Sequence, residues 1–422
     1  MHLEIVAVGS ELTGGDVCDT NSAFIAREMW EIGLMVRRVT LVGDYMNDIV
    51  SAVSKAWERG KEGLAEGHSP QAVIVTGGLG PTGDDITREA VAKAFGRGLF
   101  LHKPSLDYIE ARMKMYNAPL GENNKRQAYF PDGSEVIPNP NGTAPAFVLE
   151  QDGVQVYVLP GVPMEMKALV KMELIPRLRE KRSDCAFVRK TIITYGKGES
   201  TVDRELGELM ERGRNPLLGT LVGDGLVYVE ILSRGKTQAE AQALMDECLP
   251  VVRQRLGPCI LGEDTSSVAE LLVRRATMLG LKVAIAESCT GGLAGGAITS
   301  VPGASEMFLG SIVAYDNSAK INVLGVDEEI INTHGAVSIE CAKAIAEGGR
   351  NVLGADIAVS ITGIAGPGGG TPEKPVGTVC FGLATDKETT GEQRQIRGDR
   401  EMVRARSVTH AIVLLLKALG TT

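Results

Sequence analysis

Cysteine pairs, histidine clusters, long apolar runs and a surplus of positive charge are all missing from this 422-residue sequence. The seven cysteines (Cys18, Cys185, Cys248, Cys259, Cys289, Cys341, Cys380) are scattered, odd in number and nowhere spaced Cys-x-x-Cys. A disulfide framework or a thiolate zinc site is therefore disfavoured, and a reducing, cytoplasmic setting fits. The five histidines never cluster; His334 and His410 read as lone packing or surface residues. No stretch reaches the ~20 apolar residues of a membrane span. The N-terminus has no basic segment and Glu4 interrupts its apolar run, so neither a signal peptide nor a membrane partner is expected. Against 53 Asp and Glu stand 44 Lys and Arg, a formal charge of −9 with no long run of one sign. A dedicated nucleic-acid binder needs a basic face to release counterions from phosphates, so nucleic acid is not an expected partner.

Glycine is plentiful instead: 51 residues, about 12% against a usual ~7%. They gather in runs such as Gly77-Gly78-Leu79-Gly80 and Gly366-Pro367-Gly368-Gly369-Gly370, which let backbone approach a ligand closely. At roughly 150 residues per domain the length predicts two to three domains. The first, over 1–175, alternates strands (Leu3–Val8, Val36–Val42, Ala72–Val75) with amphipathic helices (Asn21–Ile32, Asp48–Trp57). Phe24, Ile25, Met29 and Ile32 share one helix face, and Ala72–Val75 is wholly apolar, as a buried parallel strand must be. A three-layer α/β domain follows, with its site at the carboxyl ends of the strands, just after Val8 and Val75. Over 176–260, strand Val188–Thr194, a helix opening on the capping box Ser200-Thr201-Val202-Asp203, strand Leu226–Leu232 and helix Gln238–Leu256 predict a small α+β module. Gly257–Thr265 reads as a linker. A third, α/β domain over 261–422 opens on a second capping box, Ser267-Val268-Ala269-Glu270, and ends in a helix from about Arg400 to Leu419.

The first glycine-rich segment reads Thr76-Gly-Gly-Leu-Gly-Pro-Thr-Gly-Asp-Asp-Ile-Thr87. Gly78, Gly80 and Gly83 satisfy GxGxxG, but a dinucleotide fold needs that motif on the first strand and an acid some 20 residues on. Here it follows the third strand, and Leu99–Lys103 offers no acid. Asp84 and Asp85 would repel a bare pyrophosphate. Beside a glycine nest they suit a hard divalent cation bridging phosphate oxygens, with Mg²⁺, Mn²⁺ and Co²⁺ equally acceptable. The alternative is that they only cap the helix beginning near Thr87. Asp19-Thr20-Asn21 opens the first helix, where backbone amides favour anions, so Asn21 joins Gly77, Gly78 and Gly80 as a candidate binding residue. Glu165, after strand Val156–Leu159, is placed on the same rim as a third metal ligand.

In the last domain, strand Val283–Ala286 runs into Glu287-Ser288-Cys289-Thr290-Gly291-Gly292. A hydroxyl at a strand-to-helix turn is exposed, and helix amides can stabilise an oxyanion; alternatively, Ser288 is a plain N-cap. Tyr315-Asp-Asn-Ser-Ala-Lys320 brings a phenol and an amine near a strand end, and Ile361-Thr-Gly-Ile-Ala-Gly-Pro-Gly-Gly-Gly370 adds a second glycine nest. Serine needs a base, and Lys320 can serve if burial or a nearby Arg400 lowers its pKa. Cys289 is a rival nucleophile, disfavoured because a residue inside such a junction can face the core. Arg400 and Arg404, in the first turns of the terminal helix, oppose the helix dipole and hint at an anion to be met.

These motifs together (GSELTGGDVCDTNS, GGLGPTGDD, GENNKRQA, NGTAPAF, LPGVPMEM, AESCTGG, AYDNSAK, GAVS, ITGIAGPGG and GDR, in that order) resemble the competence/damage-inducible protein CinA family over essentially the full length. The resemblance implies a molybdopterin-binding-like first domain acting as a divalent-metal ADP-ribose pyrophosphatase and a KH-like middle module. That module lacks a GxxG clamp in the expected context and is read as a spacer. The resemblance also implies a C-terminal nicotinamide mononucleotide deamidase, needing no cofactor, that releases nicotinate mononucleotide and ammonia. Carried over by motif, Ser288 is the nucleophile, Lys320 its base and Tyr315 a supporting group. Thr290, Gly291, Ser305, Thr362, Gly363, Arg400 and Arg404 bind substrate or complete the site, and the motif leaves open which arginine does so. The expected partners are the two nucleotides and a second copy in a symmetric dimer.

Overall fold

The computed structural model describes residues 2–65, 72–115, 117–180, 186–265 and 267–420, so Cys185, near the start of the expected middle module, lies outside the described residues. The chain divides into two compact units, Met1–Phe187 with Gly235–Ala241, and Val188–Arg234 with Gln242–Thr422. The middle module and the last domain thus share one unit, without a break in compactness near residue 260.

The first unit is built on a six-stranded sheet in the spatial order Met35–Val42, His2–Val8, Ala72–Thr76, Val154–Leu159, Ala146–Gln151, Glu135–Ile137. The first four strands are parallel, and the last two join through antiparallel pairings. Alternate residues of the central strands face opposite layers. Leu3, Ile5 and Ile74 pack with Ile25 and Met29 of helix Thr20–Glu31. Val6, Val8, Val73 and Val75 pack with Ile49 and Val53 of helix Met46–Ala65 and with Ala90 and Val91 of helix Thr87–Ala94. Burial on both faces is why the third strand shows no polar alternation. The chain leaves His2–Val8 toward a helix on one face and leaves its neighbour Ala72–Thr76 toward a helix on the other. A crevice opens where those exits diverge.

A four-stranded sheet, in the second unit but for the strand-end residues Ala186, Phe187 and Gly235, runs Leu217–Gly223, Leu226–Gly235, Ala186–Tyr195, Ile260–Glu263. Two of these strands are absent from the sequence-based reading. Leu217–Gly223 is joined to Leu226–Gly235 by Asp224-Gly225, both at positive φ, the Asp-Gly hairpin signal. Ile260–Glu263, read as linker, pairs with 192–194 at the sheet edge. The first capping box is also misplaced: that helix spans Glu199–Leu206 and Gly198 is its N-cap. Ser267 does cap helix Val268–Leu279, its hydroxyl accepting from the Glu270 amide.

The last domain carries a five-stranded sheet ordered Phe308–Val313, Val283–Glu287, Ile357–Gly363, Thr378–Ala384, Thr389–Gln395, the first three parallel. Val283, Ile285, Val359 and Ile361 face helices Val268–Leu279, Leu293–Thr299 and Arg400–Ala418. Ala286 faces Cys341 and Ile345 of helix Ile339–Leu353 on the other side. Both large sheets therefore begin with the same arrangement, the first strand lying between the second and the third, and both concentrate loops at the carboxyl end of that first strand. Among the described residues no helix is long and apolar enough to cross a membrane.

Candidate functional site

At the crevice of the first unit, a pocket of about 170 Å³ is lined by Val8, Glu11, Leu12, Val17 to Asn21, Thr76, Gly77 and Gly161, among others. Asp19 caps the helix at its wall, accepting from the Ser22 amide, and Asn21 Nδ2 donates to the Gly161 carbonyl at 2.7 Å. Gly77 and Gly78 both have positive φ, and a Cβ at Gly77 would lie 2.1 Å from the Val8 carbonyl oxygen, so only glycine fits. The carbonyls of the loop point inward: Gly77 accepts from Thr87 Oγ1, and Arg88 donates to Leu79 and Gly80. Among the described residues the amides of Gly78, Leu79 and Gly80 have no acceptor, the polarity an anion cradle needs. Arg88, which the sequence reading passed over, is what holds this arrangement. It is 1% exposed, and burial draws its pKa down to about 10, leaving it charged at neutral pH.

The acidic residues behave differently from expectation. Asp85 does not cap the helix: its Oδ2 accepts from the Thr82 amide (2.9 Å) and hydroxyl (2.5 Å), closing its own loop. Helix Thr87–Ala94 begins at Ile86 without a side-chain cap. Asp84 is exposed, and Glu165 accepts from Asn139 Nδ2 at 2.6 Å, against Gly142. Among the described residues no three His, Cys, Asp or Glu side chains converge on a point where a cation would sit. Asp84, Asp85 and Glu165 are thus not a ready ligand set, because two of the three carboxylates are committed to tying loops together.

The second constellation starts from Glu287, the last residue of strand Val283–Glu287 and completely buried. Its carboxylate accepts from the amides of Gly292 (3.0 Å), Ala294 (3.1 Å) and Gly295 (2.9 Å) and from Ser311 Oγ (2.7 Å). Glu287, not Ser288, satisfies the start of helix Leu293–Thr299, whose N-cap is Gly292. The turn between them closes because Gly291 and Gly292 accept positive φ. Ser288 is thereby freed from a capping role. Its amide donates to the Ile361 carbonyl at 2.8 Å, and its hydroxyl has no hydrogen bond within the described protein. Cys289 sits in the hydrophobic core, and burial pushes its thiol up to about 11, so it is not a thiolate at neutral pH. Cys289→Ala should accordingly keep any hydrolytic activity of this domain within about threefold, measured as initial rate.

Arg404 holds the turn from behind, Nε to the Cys289 carbonyl (3.1 Å) and Nη2 to that of Thr290 (2.8 Å). Arg400 gives one donor to the Gly366 carbonyl and remains exposed. Arg404 is therefore a clamp on the turn, and Arg400 is the arginine open to a ligand. Thr290 is fully buried, its hydroxyl without a partner. Thr362 Oγ1 donates to the Ala336 carbonyl, and Gly363 backs so closely on Thr378 and Val379 that a Cβ has no room.

Lys320 is 1% exposed, and its Nζ donates to the Tyr315 carbonyl at 2.9 Å. Burial is the largest influence on its pKa and lowers it from 10.5; Asp316, the carboxylate among the groups that act on it, opposes the shift, and Arg400 is not one of those groups. No hydrogen bond joins Lys320 to Ser288. Tyr315 supports the lysine through its backbone; its ring is 61% exposed. Ser305 lines a groove of about 720 Å³ along edge strand Phe308–Val313, with Gly292, Thr299 and Ser311. Neither Ser288 nor Lys320 lines that groove.

Three family models match the chain: a probable molybdopterin binding domain at 4–180, the damage-inducible protein CinA KH domain at 189–262 and the CinA C-terminal domain at 265–419. A CinA-like protein of Kosmotoga olearia is 39% identical over 99% of both chains, and one of Dictyoglomus thermophilum is likewise 39% identical over 99% of both. The chain belongs to the CinA family. A crystal structure of a competence/damage-inducible protein from Agrobacterium tumefaciens, 39% identical, covers 37% of this chain and 98% of its own, with a TM-score of 0.35. Family membership accounts for the three-part order of the fold: molybdopterin-binding-like, KH-like and CinA C-terminal domains in sequence.

Proposed function

We propose that the C-terminal domain hydrolyses the carboxamide of nicotinamide mononucleotide, giving nicotinate mononucleotide and ammonia, with Ser288 as nucleophile and Lys320 as its base. One observation carries this reading: among the described residues, adjacent strand exits bear a serine hydroxyl with no protein partner and a fully buried amine whose one hydrogen bond goes to a carbonyl. Burial disfavours the ammonium form of Lys320, and the neutral amine can take the proton that makes a serine nucleophilic. Ser288 Oγ attacks the carboxamide carbon and its proton passes to Lys320. The amides of Cys289 and Thr290, which make no hydrogen bond among the described residues, face the oxyanion. Lys320 returns the proton to the departing nitrogen, ammonia leaves, and water hydrolyses the acyl ester to release the carboxylate and restore the serine. Arg400 is the group left for the substrate's phosphate.

The deciding assay is ammonia release from nicotinamide mononucleotide against pH. Because the base must be neutral, kcat/KM is expected to rise with pH through a limb whose midpoint lies below the ordinary lysine value of 10.5. Lys320→Met, similar in size but not basic, should lose about 10²-fold and flatten that limb. A Lys320→Met protein with the wild-type profile would remove the lysine from the scheme. No ammonia from wild type would leave the domain a binding module or a non-enzymatic partner in DNA uptake or repair.

For the first unit we infer binding of a nucleoside diphosphate, ADP-ribose being the candidate, with its phosphates on the outward amides of Gly78 to Gly80. The divalent ion that pyrophosphate cleavage implies does not find three carboxylates among the described residues. Saturable ADP-ribose binding is the expected result, and AMP release that needs added Mn²⁺ and stops with chelator would show that the bound diphosphate itself completes the ion's ligands. Tight pterin binding without hydrolysis would favour a molybdopterin-related binder.

A further inference from the structure

His410, which reads from sequence as a lone packing residue, is the centre of a buried hydrogen-bonded chain. Its Nδ1 meets Tyr195 Oη at 2.5 Å, and its Nε2 meets Glu392 Oε1. The three residues come from different places: Tyr195 ends the strand Ala186–Tyr195 of the KH-like module, Glu392 lies on edge strand Thr389–Gln395, and His410 lies on the terminal helix Arg400–Ala418. The imidazole is 3% exposed in its side chain, Phe381 packs edge-on against it at 4.5 Å, and Tyr195 stacks at 5.8 Å.

The strand that delivers Tyr195 has two working faces. Ile192 enters the module's own core with Val202 and Leu249. Ile193 enters the core of the C-terminal domain, with Tyr195 packed against it on the same side. The module is thus bound into the domain by apolar burial, and the polar chain sets its register. The helix it reaches carries Arg404, six residues before His410, and Arg404 holds the Cys289 and Thr290 carbonyls.

We propose that Tyr195, His410 and Glu392 are positioning residues of the Ser288 turn, through which the KH-like module sets the seat of the terminal helix and hence of Arg404. The effect on catalysis rests on the amidase reading above; the effect on the turn does not. With Glu392 ionised, Nε2 carries the imidazole proton and Nδ1 accepts from the Tyr195 hydroxyl. A second proton would turn Nδ1 into a donor and force the tyrosine to reverse. The groups facing the ring are Glu392 and Arg394 from the edge strand, Tyr195 from the module and Lys417 from its own helix. Burial, Arg394 and Lys417 oppose that second proton and Glu392 favours it, burial being the largest influence and the balance lying below 6.5. The neutral chain therefore holds at neutral pH and gives way as pH falls below that value.

The experiment uses the full chain, with hydrogen exchange of the 288–292 amides and kcat for ammonia release read in parallel. Tyr195→Phe keeps the ring and loses the hydroxyl. It should speed exchange in 288–292 by about fivefold, the weight of one hydrogen bond, and lower kcat by a similar factor with KM within twofold. In wild type, exchange at 288–292, corrected for its intrinsic pH dependence, should rise on going from pH 7.5 to 5.5. His410→Gln, which keeps a donor and an acceptor but cannot titrate, should abolish that rise. Faster exchange confined to 186–195, with 288–292 and the pH response unchanged, would mean that the chain only glues the module on and would overturn the proposal. If wild type releases no ammonia, the amidase reading fails while the exchange data still decide this one.

Discussion

Ammonia release from nicotinamide mononucleotide is expected to fall by roughly 10⁴-fold in Ser288→Ala, to the residual rate left by binding and oxyanion donors alone. The fold should be nearly unmoved, within about 0.5 kcal/mol by denaturant unfolding, because the hydroxyl makes no hydrogen bond among the described residues and its removal strands no partner. That combination, a large catalytic loss on an intact protein, separates a nucleophile from a structural cap. A true N-cap would show the reverse, losing ~1 kcal/mol of stability with its amide partner left open. The cap here is supplied elsewhere, by Glu287. Substantial activity in a folded Ser288→Ala protein would sink the mechanism outright. Cys289 could not inherit the role without first losing its thiol proton in a core that holds it at about 11.

Which parts of this arrangement a reader could find in the sequence depends on how far apart the interacting groups lie. The strand at Ala72–Thr76, the helix at Thr20–Glu31 and the Ser267 cap announce themselves through patterns only a few residues long, and the structure holds each within a residue or two of its expected place. Short edge strands are another matter. Ile260–Glu263 is four residues of half-buried chain, and nothing local distinguishes it from linker; the Asp224-Gly225 hairpin did carry a signal that the flanking glycines obscured. Side-chain commitments were harder still. That Asp85 spends its carboxylate on Thr82, or that Arg404 spends two donors on carbonyls 114 and 115 residues away, depends on where backbone atoms arrive in space. Residue types advertise what chemistry is possible; only packing reveals which donors and acceptors are already taken. Tyr195 and His410, 215 residues apart, belong to the same class.

Glu287→Ala should be the most damaging single change to the C-terminal domain's fold. The side chain is fully buried and receives three backbone amides and one serine hydroxyl. Truncation leaves those four donors facing a cavity in the centre of the sheet. Each buried orphan costs about 1–3 kcal/mol, less whatever an entering water recovers, so a loss of about 4 kcal/mol is expected. For a body of this size that corresponds to a fall of about 10 °C or more in the thermal midpoint. Glu287→Gln is the sharper probe, because it keeps volume and shape. Its NH₂ group must point at amides or a hydroxyl that are themselves donating, so it should still cost about 2 kcal/mol, part of which Ser311 can return by rotating its hydroxyl to accept. Ser311→Ala in the Glu287→Gln background would then be more harmful than in wild type, a coupling that a double-mutant cycle measures directly. A neutral Glu287→Gln would mean that the carboxylate is a spectator, and the turn that presents Ser288 would need another explanation for holding two consecutive positive-φ glycines in place.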